Sequence, residues 1–387
     1  MTQAKSKIVH LTSVHRPFDV RIFDKHCRTA VEAGYRVTLV ATYDTDVEID
    51  GVELKAIPKP RGRFSRMTRN AFLAFREAWK QSADLYVIHD AELLPWARLM
   101  TLLGKTVIYD MHENVPKDIL SKSWIPSVLR RPLSSTMRVV ERLLIGRMPV
   151  IFAESSYADD YAWVKQAVIA RNFAKLSSFQ NSAEATGSPS GPAVAYVGAV
   201  SRDRGSLVTL AALSELKRRG ISVGWHCVGP ISPPDHQVEL ESVACESELT
   251  NVSFYGYLPR AEAIEKIETC AIGLAVLRPE PNFVASFPTK MFEYMALGMP
   301  VVVSDFPLYR QVVKECECGV CVDPTDSVQL ADAIQRLLEQ PEFARECGQR
   351  GREAVQEIYN WDAEFQKLNR FFEQLLLPDR NRSTESN

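Results

Sequence analysis

A chain of 387 residues with 46% hydrophobic and 24% charged side chains is too long for one ordinary core and reads as two globular domains of roughly 190 residues each. Its 46 basic and 48 acidic residues leave a net charge of −2, which excludes a nucleic-acid binder relying on bulk positive charge. Eight cysteines scattered through apolar segments read as reduced core thiols, and no apolar run approaches the roughly 18 residues that span a bilayer. The first residues lack the apolar stretch and cleavage site of a signal peptide, so a cytoplasmic protein is expected.

In chain order, Lys7–Val14 reads as a short buried strand, followed by a polar loop and a helical stretch to about Ala33. The loop mixes His15, Arg16, Asp19 and Arg21 just after the strand. Asp19 there suits either a chemical role or a helix cap. Further strands are expected at Tyr35–Thr42, Leu85–His89, Thr106–Asp110 and Val150–Glu154. Strands alternating with helices imply right-handed crossovers and a parallel sheet. His89-Asp-Ala-Glu92 and Asp110-Met-His-Glu113 sit at the C-terminal ends of two of these strands, where open α/β sheets place their sites. His112 beside Glu113 suits a proton acceptor or a partner for a sugar hydroxyl, although helix-capping acids and a surface histidine give the same pattern. Two stretches are locally basic with interleaved apolar residues. Lys55–Lys80 carries eight Lys or Arg against Glu77, and Lys122–Arg147 carries six against Glu141, with Trp124, Ile125, Val128 and Leu129 nearby. Such helices suit an anionic membrane surface, or an apolar face packed on the sheet with a solvated basic side.

Residues 177–193 are rich in Ser, Gly, Pro and Ala and read as a linker. The pattern then restarts, with strands at Val194–Gly198, Val223–Val228, Val252–Tyr255 and Ile272–Val276, and helices at Leu207–Arg219, Arg260–Thr269 and Ser327–Glu339. The loop Gly198–Gly205 offers Arg202 and Arg204 at a helix N-terminus, a setting for a pyrophosphate or a plain solvated turn. Ser286-Phe-Pro-Thr289-Lys290-Met-Phe-Glu293 opens another helix, which ends at Gly298 before a buried Val301–Val303 strand. Lys290 and Glu293 share a face near the positive helix end, so a phosphate on one and ribose hydroxyls on the other would fit. A solvated ion pair between them is the simpler alternative. Cys316, Cys318 and Cys321 form C-x-C-x-x-C with no clear fourth ligand, so no metal is expected.

Together these motifs resemble GT-B glycosyltransferases, specifically bacterial members similar to glycosyltransferase family 4. The segments carrying the resemblance are H-L-T-S-V-H-R-P-F-D-V-R-I-F-D, H-D-A-E-L-L-P, Y-D-M-H-E, the Y-V-G…R-G loop and F-P-T-K-M-F-E-Y-M-A-L-G-M-P-V-V. The resemblance implies an α/β GT-B architecture, two Rossmann-like domains with parallel sheets facing across a cleft. Residues 1–176 would form the acceptor domain and 194–358 the nucleotide-sugar domain. A helix in 359–379 would cross back to the first domain, and 380–387 would be a disordered tail. It implies sugar transfer from a nucleotide-diphosphate sugar to a polysaccharide or lipid-linked acceptor, at the inner face of the cytoplasmic membrane, without a metal. Glu293 then matches the carboxylate that holds the donor ribose, and Arg204 replaces the usual lysine of the phosphate loop. His112 matches the histidine near the donor sugar. Gly198, Arg202, Ser286, Thr289 and Lys290 complete the donor set, with Asp19 and Glu113 on the catalytic side. Two departures stand out: Ala199 where an arginine is common, and Ala285 where a glutamate usually meets the transferred sugar. A nucleotide-sugar epimerase or a non-catalytic scaffold on the same fold are the alternatives.

Overall fold

A computed structural model describes residues 6–122, 125–179 and 192–377. Residues up to Asn172, together with those from Trp361 onward, form one compact unit, and Phe173–Asn360 form the other. The first unit thus ends at Asn172 rather than at residue 176. Of the expected linker, Phe179 lies buried in the second unit's core; residues 180–191, the expected tail and Trp124 lie outside the described residues.

The first unit is built on β1 (Lys7–Leu11), β2 (Arg36–Thr42), β3 (Val47–Ile49), β4 (Val52–Ile57), β5 (Leu85–Ile88), β6 (Val107–Met111), β7 (Val150–Phe152) and β8 (Ala167–Ile169). They form one sheet in the order β3-β4-β2-β1-β5-β6-β7-β8, with every pair parallel except β3 with β4. Both faces are covered, and the period-two alternation of a strand divides the residues between two cores. Val9, Leu11, Tyr86, Ile88 and Tyr109 point into one. Ile8, Leu39, Leu85, Val87 and Ile108 point into the other, where the helix Trp361–Leu376 supplies Trp361, Phe365, Leu368 and Phe372.

The second unit repeats the plan with β9 (Ala193–Val197), β10 (Gly224–Val228), β11 (Val252–Gly256), β12 (Ile272–Ala275), β13 (Val301–Ser304) and β14 (Gly319–Val322). Its order is β11-β10-β9-β12-β13-β14, with all pairs parallel. Ala193, Ala195, Val301 and Val303 face one core, while Val194, Tyr196 and Val302 face the other. Each fully buried Val, Leu or Ile in these layers contributes about 1.5–3 kcal/mol relative to exposure.

The strand orders fix where sites can form. In the first sheet the chain reverses direction of travel between β1 and β5, and in the second between β9 and β12. The loops leaving those strands diverge and open a crevice at the carboxyl edge of the sheet. The residues after β1 and β5, and those after β9 and β12, lie at those two edges.

Candidate active site

In the second unit, a pocket of about 300 Å³ opens beside β9 and β12. Gly198, Arg204, Ser286, Thr289, Lys290 and Glu293 line it. The helix Thr289–Ala296 presents its first turn there, with Pro288 as the preceding extended residue. It ends at Gly298, whose φ of +74° takes the left-handed residue after the last turn. Two glycines shape the loop Gly198–Gly205. Gly205, at φ +79°, lies so close to Val276 that a Cβ would sit 1.9 Å from its carbonyl oxygen. Gly198, at φ +118°, leaves open the space in front of Lys290 Nζ, which lies 3.5 Å from where a Cβ would stand.

Lys290 is the unusual group. It is 7% exposed, its Nζ has no hydrogen-bond partner, and it sits 3.5 Å from the centroid of the Tyr196 ring. Burial, and then the charge of Arg204, push its pKa well below the ordinary lysine value. Lys290 and Glu293 do not pair with each other. Glu293 instead meets Arg260 Nη1 at 3.2 Å. The simpler sequence expectation of a solvated Lys290–Glu293 pair is therefore corrected: burial of Lys290 and the competing guanidinium separate them. Arg204 lies over the Phe283 ring at 5.2 Å. Arg202 turns elsewhere, with its Nη2 2.7 Å from Glu239 Oε1, and it does not line the pocket. Ser286 donates its hydroxyl to Asn282 O at 2.6 Å.

In the first unit the strand-end histidines gather around two carboxylates. Asp110, fully buried, receives Arg21 Nε at 3.0 Å and Nη2 at 2.5 Å, and His89 Nδ1 at 2.9 Å. Burial disfavours its charge, but Arg21 holds its pKa well below the usual carboxylate range. Because Asp110 can only accept, His89 carries its proton on Nδ1, and its Nε2 accepts from His10 Nδ1 at 3.0 Å. His10 and His26 are buried and held neutral, their pKa values pushed well down by desolvation.

Asp90 receives Thr12 Oγ1 at 2.8 Å, Ser13 N at 2.7 Å and His15 Nδ1 at 2.8 Å. Burial opposes its ionisation, but the His15 bond and charge lower its pKa. His15 shifts upward in turn: burial works against the charged ring, and Asp90 outweighs it. His112 is pushed down to about 4, chiefly by burial. Its Nδ1 lies 3.2 Å from Asp110 O, and its Nε2 lies 3.2 Å from His15 Nε2. Asp19 caps the following helix, accepting from Arg21 N at 2.8 Å and Ile22 N at 3.0 Å. Glu113 is exposed. Among the described residues, His15–Asp90–His112 and His89–Asp110–His112 bring possible metal-binding atoms together; Asp110 in the second set is already committed to Arg21 and His89.

The sequence reading missed Tyr196, Arg260 and the link from Asp90 to His15. A Tyr two residues before a loop glycine was the available signal for the first. The other two join residues 33 and 75 apart in the chain, and no local spacing announces them.

Residues 179–354 match the family described as glycosyl transferases group 1. That match lies within the second unit. Among curated proteins, the chain is 36% identical to the phosphatidyl-myo-inositol mannosyltransferase of Mycobacterium leprae over 88 residues, 23% of each chain. It is 26% identical to the alpha-D-kanosaminyltransferase of Streptomyces kanamyceticus over 153 residues, 39% of this chain and 38% of that one. The chain thus matches less than half the length of these relatives. Solved structures extend the likeness in fold. Sucrose-phosphate synthase from Thermosynechococcus elongatus superposes with a TM-score of 0.74 at 20% identity, covering 96% of this chain and 99% of that one. Anabaena Alr3699/HepE in complex with UDP and glucose gives 0.72 at 15% identity, over 96% and 100%. The fold of the chain is GT-B.

Proposed function

We propose that this protein transfers a sugar from a nucleotide-diphosphate sugar to a glycan or lipid-linked acceptor. The observation that carries this reading is Lys290, a buried amine without a hydrogen-bond partner, aimed into a pocket within the stretch that matches glycosyl transferases group 1. A buried cation is unfavourable alone and favourable beside an anion. A diphosphate laid over Gly198 would meet Lys290 Nζ, Arg204 and the first turn of the helix Thr289–Ala296. Glu293, steadied by Arg260, would accept the two ribose hydroxyls. As the glycosyl–oxygen bond breaks, negative charge grows on the leaving diphosphate, and fixed cations stabilise it most at that moment. These groups supply the positive charge from the protein itself, so transfer proceeds without a divalent metal. His112 and the carboxylates around it serve the sugar and acceptor end. The mannosyl- and kanosaminyl-transferase relatives support a glycosyl donor, and the UDP held by Anabaena HepE supports a nucleotide one.

The acceptor reading follows the helix Ser127–Ile145, whose exposed surface is apolar and basic. Peripheral attachment to an anionic membrane, at its cytoplasmic face, would bring a lipid-linked acceptor within reach.

The test is donor turnover in Lys290→Ala and Glu293→Ala. Each is expected to fall by about 10²-fold or more, with a cooperative melting transition retained. Wild-type turnover in both variants would refute the donor site. Conversion of the nucleotide sugar without acceptor would instead indicate epimerisation.

A further inference from the structure

His15 and His112 carry a feature that sugar transfer does not require. His15 Nδ1 faces the Asp90 carboxylate at 2.8 Å, and His112 Nδ1 faces the backbone carbonyl of Asp110 at 3.2 Å. Neither oxygen has a proton to give, so each ring is the donor through Nδ1. The two Nε2 lone pairs are then turned toward one another at 3.2 Å. Lone pairs at that distance repel unless a cation stands between them, either a proton or a metal ion.

Ring placement leaves room for an ion. At this N···N distance, a proton shared in a straight bond would hold the ring centroids about 5.5 Å apart. Two nitrogens each about 2.05 Å from one tetrahedral ion subtend about 100° and bring the centroids to about 5.0 Å. The observed separation is 4.8 Å, with the ring planes at 66°. That separation accommodates an ion coordinated by both nitrogens.

We propose that His15 Nε2 and His112 Nε2 form a two-histidine chelate for a divalent transition-metal ion of the Zn²⁺, Co²⁺ or Ni²⁺ class. Imidazole nitrogens suit these ions. Hydrogen bonds from the far ring nitrogens to a carboxylate and a backbone carbonyl are the outer-shell arrangement that fixes metal-binding histidines. The surroundings favour a cation, since Asp90, Asp19 and Glu113 all act on His15 in that sense, while the charge of Arg21 is opposed by Asp110. Side-chain exposures of 23% for His15 and 16% for His112 leave a route for the ion. Remaining coordination positions fall to water or a substrate oxygen. Two imidazoles alone bind more weakly than a closed structural site, on the order of micromolar. The site stands apart from the transfer reading; only its consequence rests on that reading. An ion here occupies the His112 lone pair and inhibits transfer.

The full-length protein is titrated with Ni²⁺ by calorimetry beside His15→Gln and His112→Gln, and the Cu²⁺-loaded wild type is examined by electron paramagnetic resonance. The expected result is one ion per chain, binding about tenfold or more weaker in each variant, and superhyperfine coupling to two imidazole nitrogens. Binding of unchanged affinity in both variants would assign the ion elsewhere, for example to the thiols, and overturn the proposal. No ion bound, or a copper spectrum without two-nitrogen coupling, would overturn it too. If a variant fails to fold, the wild-type copper spectrum decides. Loss of this site with an intact effect of Lys290→Ala would leave the transfer reading standing.

Discussion

At the residue scale, the donor-site proposal turns on the buried Lys290. Burial and Arg204 lower its pKa, while Cys227 and Glu293 act weakly in the opposite sense. The unfolded lysine therefore holds its proton over a pH window in which the folded one has lost it. Stability contributed at this position rises with pH through that window, up to the unfolded value near 10.5. On the proposed reading, a bound diphosphate would reverse the balance and draw a proton onto Nζ. Calorimetry of UDP binding at mildly alkaline pH, in buffers of different ionisation enthalpy, should report net proton uptake. Affinity should fall as pH rises, by up to about tenfold per pH unit. Lys290→Met should abolish the uptake while raising the melting temperature, because it removes a desolvated, unpartnered amine and keeps its stem. Binding heats that do not depend on the buffer would refute this account. Lysine and glutamate at this helix start were legible in the sequence because their spacing is local. Their true partners, the Tyr196 ring and Arg260, were not, because they arrive from a separate strand and a separate helix.

At the element scale, the helix Ser127–Ile145 has an inside-out character. It buries only Ser134, Glu141 and Ile145, while Val128 is 79% and Leu143 69% exposed. At 100° per residue, the exposed Val128, Leu129, Leu133, Val139, Val140 and Leu143 fall within an arc of about 140°, opposite the buried positions. Arg131, Arg138 and Arg142 flank that arc on one side. A helix presenting apolar residues outward with arginines at the rim matches an anionic lipid surface. The protein should float with phosphatidylglycerol vesicles at low salt and release at high salt. Leu133→Asp combined with Leu143→Asp should abolish flotation without changing the melting temperature, since both side chains are exposed. A wild-type protein that stays in solution at low salt would sink the idea. The basic composition was readable from sequence, but which face the sheet would cover was not. The same limit hid other elements. The strand Val52–Ile57 mixes Glu53 and Lys55 with its apolar residues, and β14 looked like a cysteine motif. The helix Pro341–Glu357 packs through small residues rather than an apolar stripe. At Gly348, for instance, a Cβ would lie 2.0 Å from Gly298 O.

At the scale of the whole molecule, the two units are not equivalent in chain terms. The second is one continuous stretch, Phe173–Asn360, while the first needs residues from both sides of it. What the late stretch supplies is core. Trp361 is fully buried, and its Nε1 donates to Lys25 O and Thr29 Oγ1 at 3.1 Å each. Phe365, Leu368 and Phe372 continue that layer over Ile8, Leu39, Val87 and Ile108. Glu364 reinforces it by accepting Arg171 N at 3.1 Å. Without this helix, one face of the first sheet keeps only the cover of Ile22, Phe23, Cys27 and Ala30, and parallel strands are rarely stable with a face in water. All the pocket residues of the second unit lie within its own continuous stretch. Residues 173–360 expressed alone should therefore melt cooperatively and bind UDP, while residues 1–172 alone should aggregate or show no cooperative transition. In the full chain, Trp361→Ala should destabilise the first unit by about 3–5 kcal/mol and leave UDP binding by the second intact. A cooperative, soluble 1–172 fragment would show that the late helix is dispensable, and equal loss of UDP binding in Trp361→Ala would show that the second unit depends on the first.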